Sequence, residues 1–460
     1  MHRAGLLLLL LLSACATRGD DDDAFPDDDD RPFDDDDSGD DDDAGDDDDS
    51  TPANLDSFDD VLTALQTETD PDALDALLHT VGWRWRWPLV DGDRWLFATR
   101  WEGSPSLAGD VTAWEPVAAT AAGPRHHWVL LDASTFAVPA AGAKYKWTEG
   151  DTWAEGFEST AHGWDQNGAF SYVAPPTDRA WLERFPDLST EALPLPRTAR
   201  ALLPAGFDAA TDGASARTLL LQDGQNLFDP TAFAGGWEVD VALDAPEWAD
   251  VVALAVDTGA DRLDVYGHVQ DEPFGDGQIY GGKAAEYATL LEDEVLPFAR
   301  ERYGIRATGD SLAVAGSSMG GLVSLWLGAR WDGDIGCVGA LSPTLRWGAM
   351  QDGLDGSEAL VNRWATTPGH GDAGIFLYAG GNEGFGCVDT DGDGVVEESQ
   401  DQDNHCVTAQ FRDALAALGY TFDVDLVHWW EPGAQHTEPA WRAQVPRMLA
   451  ACEAMGWSGD

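Results

Sequence analysis

The sequence predicts an α/β fold for residues 177–460, a doubly wound and mostly parallel sheet. A small β-sandwich at 83–176 and a disordered acidic linker are expected ahead of it. Two observations carry the main prediction. Leu219-Leu220-Leu221, Val251 to Val256, Leu312 to Ala315 and Ile375 to Tyr378 are continuous apolar runs, the pattern of strands buried on both faces. Helical stretches such as Ala284 to Tyr303 and Val407 to Leu418 separate them. A third observation sets the sandwich apart. Between 83 and 176, short alternating runs such as Trp95-Leu96-Phe97-Ala98 and His127 to Leu131 are split by Gly, Pro and Asp.

At the start, Met1-His2-Arg3 is a basic cap on the apolar run Gly5 to Leu12. That run is about half the ~20 residues a bilayer span needs, so residues 1–14 read as an export leader. Leu12-Ser13-Ala14-Cys15 resembles the bacterial lipobox, which implies lipidation of Cys15 and a place in the cell envelope, at the outer membrane, held to the membrane by lipid alone. No later run is long and apolar enough to span. Residues 15–53 form the linker. Five Asp-Asp-Asp-Asp blocks between Asp20 and Asp49 alternate with small residues, cannot build a core, and repel one another into an extended spacer. The formal net charge is −58, and the chain remains acidic without those blocks, which argues against nucleic-acid binding.

Residues 54–82 carry helical spacing: Leu55, Phe58, Leu62 and Leu65, then Leu74, Leu77 and Leu78, with Pro71 after Asp70 opening the second helix. In the sandwich, Trp83, Trp85 and Trp87 alternate with Arg84 and Arg86. On a strand, all three indoles would share a face. Exposed, they could stack on sugars. The preferred reading is that they fill the core or dock the sandwich on the next domain, since Trp is mostly buried. The stretch Gly142 to Trp147, with Trp153 and Asp165 to Phe170, resembles the immunoglobulin-like early-set domains that precede some bacterial esterases and many glycan-active enzymes. Beyond Cys15 four cysteines remain, an even number in an exported chain. Cys387 and Cys406 bracket one acidic loop and are paired on that ground, leaving Cys337 with Cys452. Four cysteines allow three connectivities.

Gly316-Ser317-Ser318-Met319-Gly320-Gly321 follows the Leu312–Ala315 strand and precedes the helical run from Leu322. That is the setting of the nucleophile elbow of α/β-hydrolases, with Ser318 as nucleophile. A hydroxyl needs a base held by a carboxylate, in the chain order Ser, acid, His. His436 lies in the loop Pro432 to His436 just past the strand Val424 to Trp429, the required place, whereas His428 lies within that strand. The acid should follow the strand Ile375 to Ala379, where Glu383 is the first carboxylate; Asp389 and Asp391 are its rivals. Two backbone N–H groups should receive the developing oxyanion. Met319 supplies one, and the loop Asp223-Gly224-Gln225-Asn226 the other, through Gln225.

Leu221 to Asp229, Gly235 to Asp240, Gly281-Gly282 before Ala285-Glu286-Tyr287, Leu296-Pro297-Phe298, Gly316 to Gly321, and Pro432 to His436 with Trp441 together resemble the Putative esterase family, which includes esterase D, enterochelin esterase and feruloyl esterase. The resemblance implies an α/β-hydrolase fold. It also implies that the Asp223 to Asn226 loop lends an oxyanion N–H and that the loop of His436 carries the catalytic imidazole. The chain departs from the pattern at Asp257 to Arg262 and in an insertion after the acid, both near the expected cleft.

That insertion, Cys387 to Glu398, reads as a cation loop. Asp389, Asp391 and Asp393, a Gly at the sixth position, the Val395 carbonyl and Gln400 at the twelfth position follow the EF-hand spacing, with Gln in place of the bidentate Glu. Calcium is therefore expected as a structural ion, and catalysis needs no cofactor. The function expected is hydrolysis of a carboxylic ester outside the cytoplasm through an acyl-enzyme on Ser318, His436 and Glu383. A polysaccharide acyl ester, a siderophore ester or a simple acyl ester would be the substrate. The alternatives are an acyltransferase using the same triad and a noncatalytic surface lipoprotein that binds glycan.

Overall fold

The computed structural model describes residues 55–136, 138–351, 355–364, 371–382, 387–397 and 403–459. The leader at 1–14, Cys15, the linker at 15–53, Glu383 and Gln400 lie outside the described residues.

Two helices come first, Phe58–Thr67 and Pro71–Arg84. Ser57 caps the first. Asp70 caps the second by accepting the Asp72 and Ala73 N–H groups, and Pro71 fills the first position, where no N–H is needed. The second helix runs on through Arg84, so Trp83, Trp85 and Trp87 do not line one face of a strand. Trp83 wedges between Phe185 and Phe298 and donates Nε1–H to the Pro186 carbonyl at 3.0 Å. Trp87 is buried, with its Nε1–H on the Leu78 carbonyl at 2.9 Å. Trp85 packs against the same helical core.

The strands of the N-terminal half are β1 (Leu89–Asp91), β2 (Arg94–Arg100), β3 (Ser106–Gly109), β4 (Val117–Ala118), β5 (Thr120–Ala121), β6 (His126–Asp132), β7 (Lys144–Glu149), β8 (Thr152–Ala154), β9 (Ala161–Asp165) and β10 (Gly168–Tyr172). Four of them form a sheet in the order β1-β2-β6-β5. One face, with Leu96 and Ala98, lies on the helical pair. The other, with Trp95, Phe97, Val129 and Leu131, meets Leu107, Tyr145 and Trp147 of a second sheet. Strand β2 is thus covered on both sides, which is why Trp95 to Ala98 are all buried.

That second sheet continues without a break. The remaining strands are β11 (Trp181–Leu188), β12 (Arg197–Leu203), β13 (Arg217–Gln222), β14 (Val251–Val256), the short hairpin β15 (Gln270–Asp271) and β16 (Tyr280–Gly281), β17 (Gly309–Ser317), β18 (Ile335–Leu341), β19 (Gly374–Ala379) and β20 (Leu426–Trp430). The order β20-β19-β18-β17-β13-β14-β12-β11-β9-β10-β7-β3-β4, with β8 beside β7, makes one sheet of 14 strands. From β20 to β14 neighbours run parallel. From β14 onward every pairing is antiparallel. The sheet is therefore mostly antiparallel, which corrects the expectation of a mostly parallel one. The apolar runs singled out in the sequence, in β13, β14, β17 and β19, all lie in the parallel part; the antiparallel majority comes from β11, β12 and the N-terminal strands that extend the same sheet. The sheet also crosses the boundary expected at residue 176, where Leu182 and Glu183 of β11 pair with His162 and Ala161 of β9.

Glu183 is fully buried at that crossing. It accepts from Arg86 Nε at 2.6 Å, Arg302 Nε at 3.0 Å and Tyr303 OH at 2.9 Å. Burial pushes its pKa up, but the Arg86 and Arg302 cations outweigh that and hold it below the ordinary value. Both disulfides form in the expected pairing: Cys337–Cys452 ties β18 to the helix Val445–Ala454, and Cys387–Cys406 closes the acidic loop. Because β17 to β20 are parallel, their carboxyl ends lie along one edge. Among the described residues no helix is long and apolar enough to cross a membrane.

Candidate active site

Ser318 stands between β17 and the helix Met319–Arg330 with φ 55° and ψ −122°, a backbone conformation that non-glycine residues rarely adopt. Its surroundings hold it there. Its N–H donates to the Leu341 carbonyl at 2.9 Å, and its carbonyl accepts from Leu322 and Thr344 N–H at 3.0 and 3.1 Å. The flanking glycines are needed for room. A Cβ on Gly316 would lie 2.5 Å from the Gly320 backbone, and one on Gly320 would lie 3.0 Å from Asp223 Oδ2. The side chain is presented at the sheet edge, with Oγ 3.3 Å from Thr344 Oγ1. Met319 opens the helix, where backbone N–H groups have no acceptor within the helix.

His436 sits in the loop after β20. Gly381 N–H donates to the Ala434 carbonyl, and Gly433 N–H to the Gly381 carbonyl, so this loop is sewn to the one after β19. The His436 Nδ1 lies 2.7 Å from Oδ1 of Asp403, a carboxylate whose side chain is 1% exposed. Asp403 Oδ2 accepts from Gly380 N–H at 2.6 Å and Ser342 Oγ–H at 2.8 Å. Ser342 Oγ accepts Trp441 Nε1–H at 3.0 Å, and the Trp441 ring stands edge-on to the His436 ring at 4.8 Å. Asp403, Ser342 and Trp441 thus close a ring with the imidazole. A carboxylate at Nδ1 fixes the proton on that nitrogen and leaves Nε2 free to accept one.

Among the described residues the carboxylate beside His436 is Asp403; the expected Glu383 lies outside them. Asp403 and Asn404 both take left-handed φ, 48° and 57°, which Asp and Asn tolerate better than most residues, and they stand immediately before the helix His405–Ala417. His428 behaves as the structural residue expected. Burial, then the nearby Arg412 cation, depress its pKa to about 4.

Gln225 lies in the short helical turn Gly224–Asn226 after β13. Its side chain is locked in a two-way exchange with Thr258: Thr258 N–H donates to Oε1 at 3.0 Å and Nε2 donates to Oγ1 at 3.1 Å. Thr258 Oγ1–H in turn donates to Asp223 Oδ1, and Arg262 forks onto both Asp223 oxygens at 2.6 and 2.8 Å. The segment 257–262, where the sequence departs from the family pattern, therefore braces the loop that carries the Gln225 N–H. Glu438, which sequence reasoning missed, joins this loop to that of His436: Asn226 Nδ2 donates to its Oε1 at 3.2 Å. Burial raises the Glu438 pKa.

The model of the Putative esterase family matches residues 190–452. The chain belongs to that family. It is a carboxylic ester hydrolase. Among solved structures it is similar to a ferulic acid esterase, at 15% identity over 60% of this chain and 99% of that one, with a TM-score of 0.41. It is similar also to the enterobactin esterase of Shigella flexneri, at 14% identity over 81% and 97%, TM-score 0.39. A third is an IroE-like serine hydrolase from Shewanella oneidensis, at 17% identity over 58% and 78%, TM-score 0.44. Comparison with curated proteins gave no match.

The esterase also carries a group of carboxylates that could hold a metal ion. Asp389, Asp391 and Asp393 come together with Glu397, one oxygen of each lying within 4.8 Å of the others. Glu397, at the ninth loop position, was not among the expected ligands. Asp393 is 8% exposed, and its Oδ2 is buried without a hydrogen-bond donor. Val395 is buried, and its N–H donates to Asp393 Oδ1 at 2.8 Å. Oxygen-only donors of this kind suit a hard divalent cation.

Proposed function

We propose that the esterase cleaves carboxylic esters through an acyl-enzyme on Ser318, with His436 as the base and Asp403 as the carboxylate that orients it. His436 Nε2 takes the Ser318 proton as Oγ adds to the ester carbonyl. The N–H groups of Met319 and Gln225 receive the oxyanion. His436 returns the proton to the departing alcohol, then activates a water that releases the acid. The observation that carries this reading is the Ser318 elbow set on the same sheet edge as the His436–Asp403 pair.

The finer assignments rest on the sequence. The lipobox at Cys15 and two disulfides support an extracytoplasmic enzyme tethered by lipid, with the Asp-rich linker as its spacer. A polysaccharide acyl ester or a siderophore ester is the proposed substrate, and calcium the proposed occupant of the carboxylate group. The test is a panel of acetylated and feruloylated xylans, a ferric siderophore ester and p-nitrophenyl acetate, run beside Ser318→Ala. Turnover of at least one ester that the variant loses is expected. Equal rates for both proteins on every ester would overturn the proposal.

A further inference from the structure

Resting on that hydrolytic reading, we infer that a divalent cation bound by Asp389, Asp391, Asp393 and Glu397 holds Asp403 in place and thereby switches turnover on. The carboxylate group and Asp403 belong to one closed unit. Cys387, two residues before Asp389, is bonded to Cys406, three residues after Asp403. On the helix His405–Ala417, one turn beyond Cys406, Gln410 grips the carboxylate loop from the other side. Its Oε1 accepts Val396 N–H at 3.0 Å and its Nε2 donates to the Gly394 carbonyl at 2.7 Å. Arg346 stands 3.7 Å from Glu397. The loop is thus fastened to the first turns of the helix that Asp403 and Asn404 lead into.

Asp403 depends on that fastening. Two successive non-glycine residues in left-handed backbone are held only by their surroundings, here the Asn404 Nδ2–H bond to the Ser342 carbonyl at 2.8 Å and the Gly380 and Ser342 bonds to Asp403. Four carboxylates this close repel one another, and the buried Asp393 Oδ2 has no donor to offset its charge. With a cation among them, repulsion becomes attraction and the loop clamps the helix start. Without it, the repulsion pulls on both the disulfide and Gln410, and the strained Asp403-Asn404 pair can relax away from His436 Nδ1.

The experiment uses the full chain stripped with chelator. Calcium chloride is titrated by calorimetry and, in parallel, into a p-nitrophenyl acetate assay, with magnesium chloride as the control ion. Turnover should rise with the midpoint of calcium binding. Removing calcium should lower kcat about tenfold or more, the scale of losing an oriented base, with KM unchanged. The downfield Nδ1–H proton of His436, read by NMR, should sharpen with calcium and broaden without it. In Asp391→Asn the binding and activation midpoints should move together to higher calcium. Absence of binding heat would overturn the inference, and so would binding with kcat and the proton signal unchanged. Ser318→Ala separates the two readings: it should bind calcium and keep the proton signal while losing turnover. If it instead keeps full turnover, the hydrolytic reading fails while the proton signal still reports the coupling.

Discussion

Replacing Asp403 by Asn changes one atom and should reverse a proton. Asp403 Oδ2 accepts two donors, Gly380 N–H and Ser342 Oγ–H, while Oδ1 faces His436 Nδ1 alone. An Asn in the same rotamer keeps its carbonyl on the two donors and turns its NH₂ to Nδ1. That nitrogen must then accept, so the imidazole proton moves to Nε2, where Ser318 needs a vacant lone pair. The shape survives and the base is lost. A carboxylate-to-amide change of this kind costs about 10²–10⁴ in kcat, or about 3–5.5 kcal/mol at about 1.36 kcal/mol per decade. Stability should fall by only about 1 kcal/mol, since all three contacts keep a hydrogen bond and only the charge of the carboxylate is lost. The assay is p-nitrophenyl acetate hydrolysis at saturating calcium, with a melting curve on the same preparation and Glu383→Gln beside it. Asp403→Asn within threefold of the parent, with Glu383→Gln collapsed, would refute the reasoning and return the acid to Glu383.

Three further outcomes are expected. Ser318→Ala and His436→Ala should each abolish ester turnover to a similar degree, because the two groups act as a unit, with the melting temperature unchanged in Ser318→Ala and lowered in His436→Ala, which leaves Asp403 Oδ1 unpaired; a His428→Ala variant that loses more turnover than His436→Ala would contradict the loop placement. Ser342→Ala leaves Trp441 Nε1 without its acceptor and Asp403 Oδ2 with a single donor, so kcat should drop about tenfold with stability down about 1–2 kcal/mol; an unchanged kcat would remove Ser342 from the ring that positions the imidazole. His428 is held neutral in the fold, with its pKa near 4 against an ordinary 6.5, so the native state binds fewer protons than the unfolded chain and stability should fall as pH drops from about 6.5 to about 4, by roughly 3 kcal/mol at most. Denaturant midpoints measured across that range should flatten in His428→Gln, and an unaltered slope would show that another group titrates.

What was legible in the sequence was what is encoded locally. Ser318 could be named because the glycines, the strand before it and the helix after it occupy one short window, and His436 because its loop directly follows a strand. The second helix, opened by Pro71 after Asp70, was readable for the same reason. Asp403 escaped because an insertion separates it from the end of β19, so a search for the first carboxylate past the strand stops short of it. Contact between these residues is set by the Cys387–Cys406 closure and by Gly380, neither of which marks Asp403 in the sequence. The role of β11 and β12 was hidden too: no apolar run marks them, so the sequence did not show that they join the sandwich strands to the parallel sheet. Trp83 misled because alternation with Arg imitates a strand, while the helix from Pro71 runs two residues further than expected, through Arg84.

The seam between β9 and β11 makes the N-terminal half a guard against self-association. A chain begun at residue 177 would present β11 as a bare edge, with Trp181, Leu182 and Phe185, all buried in the intact molecule, along it. Glu183 would keep Arg302 and Tyr303 but lose Arg86. Unpaired N–H and C=O groups beside apolar side chains are a template on which a second chain can add. By occupying that edge, β9 spares the sheet from sticking to its own copies.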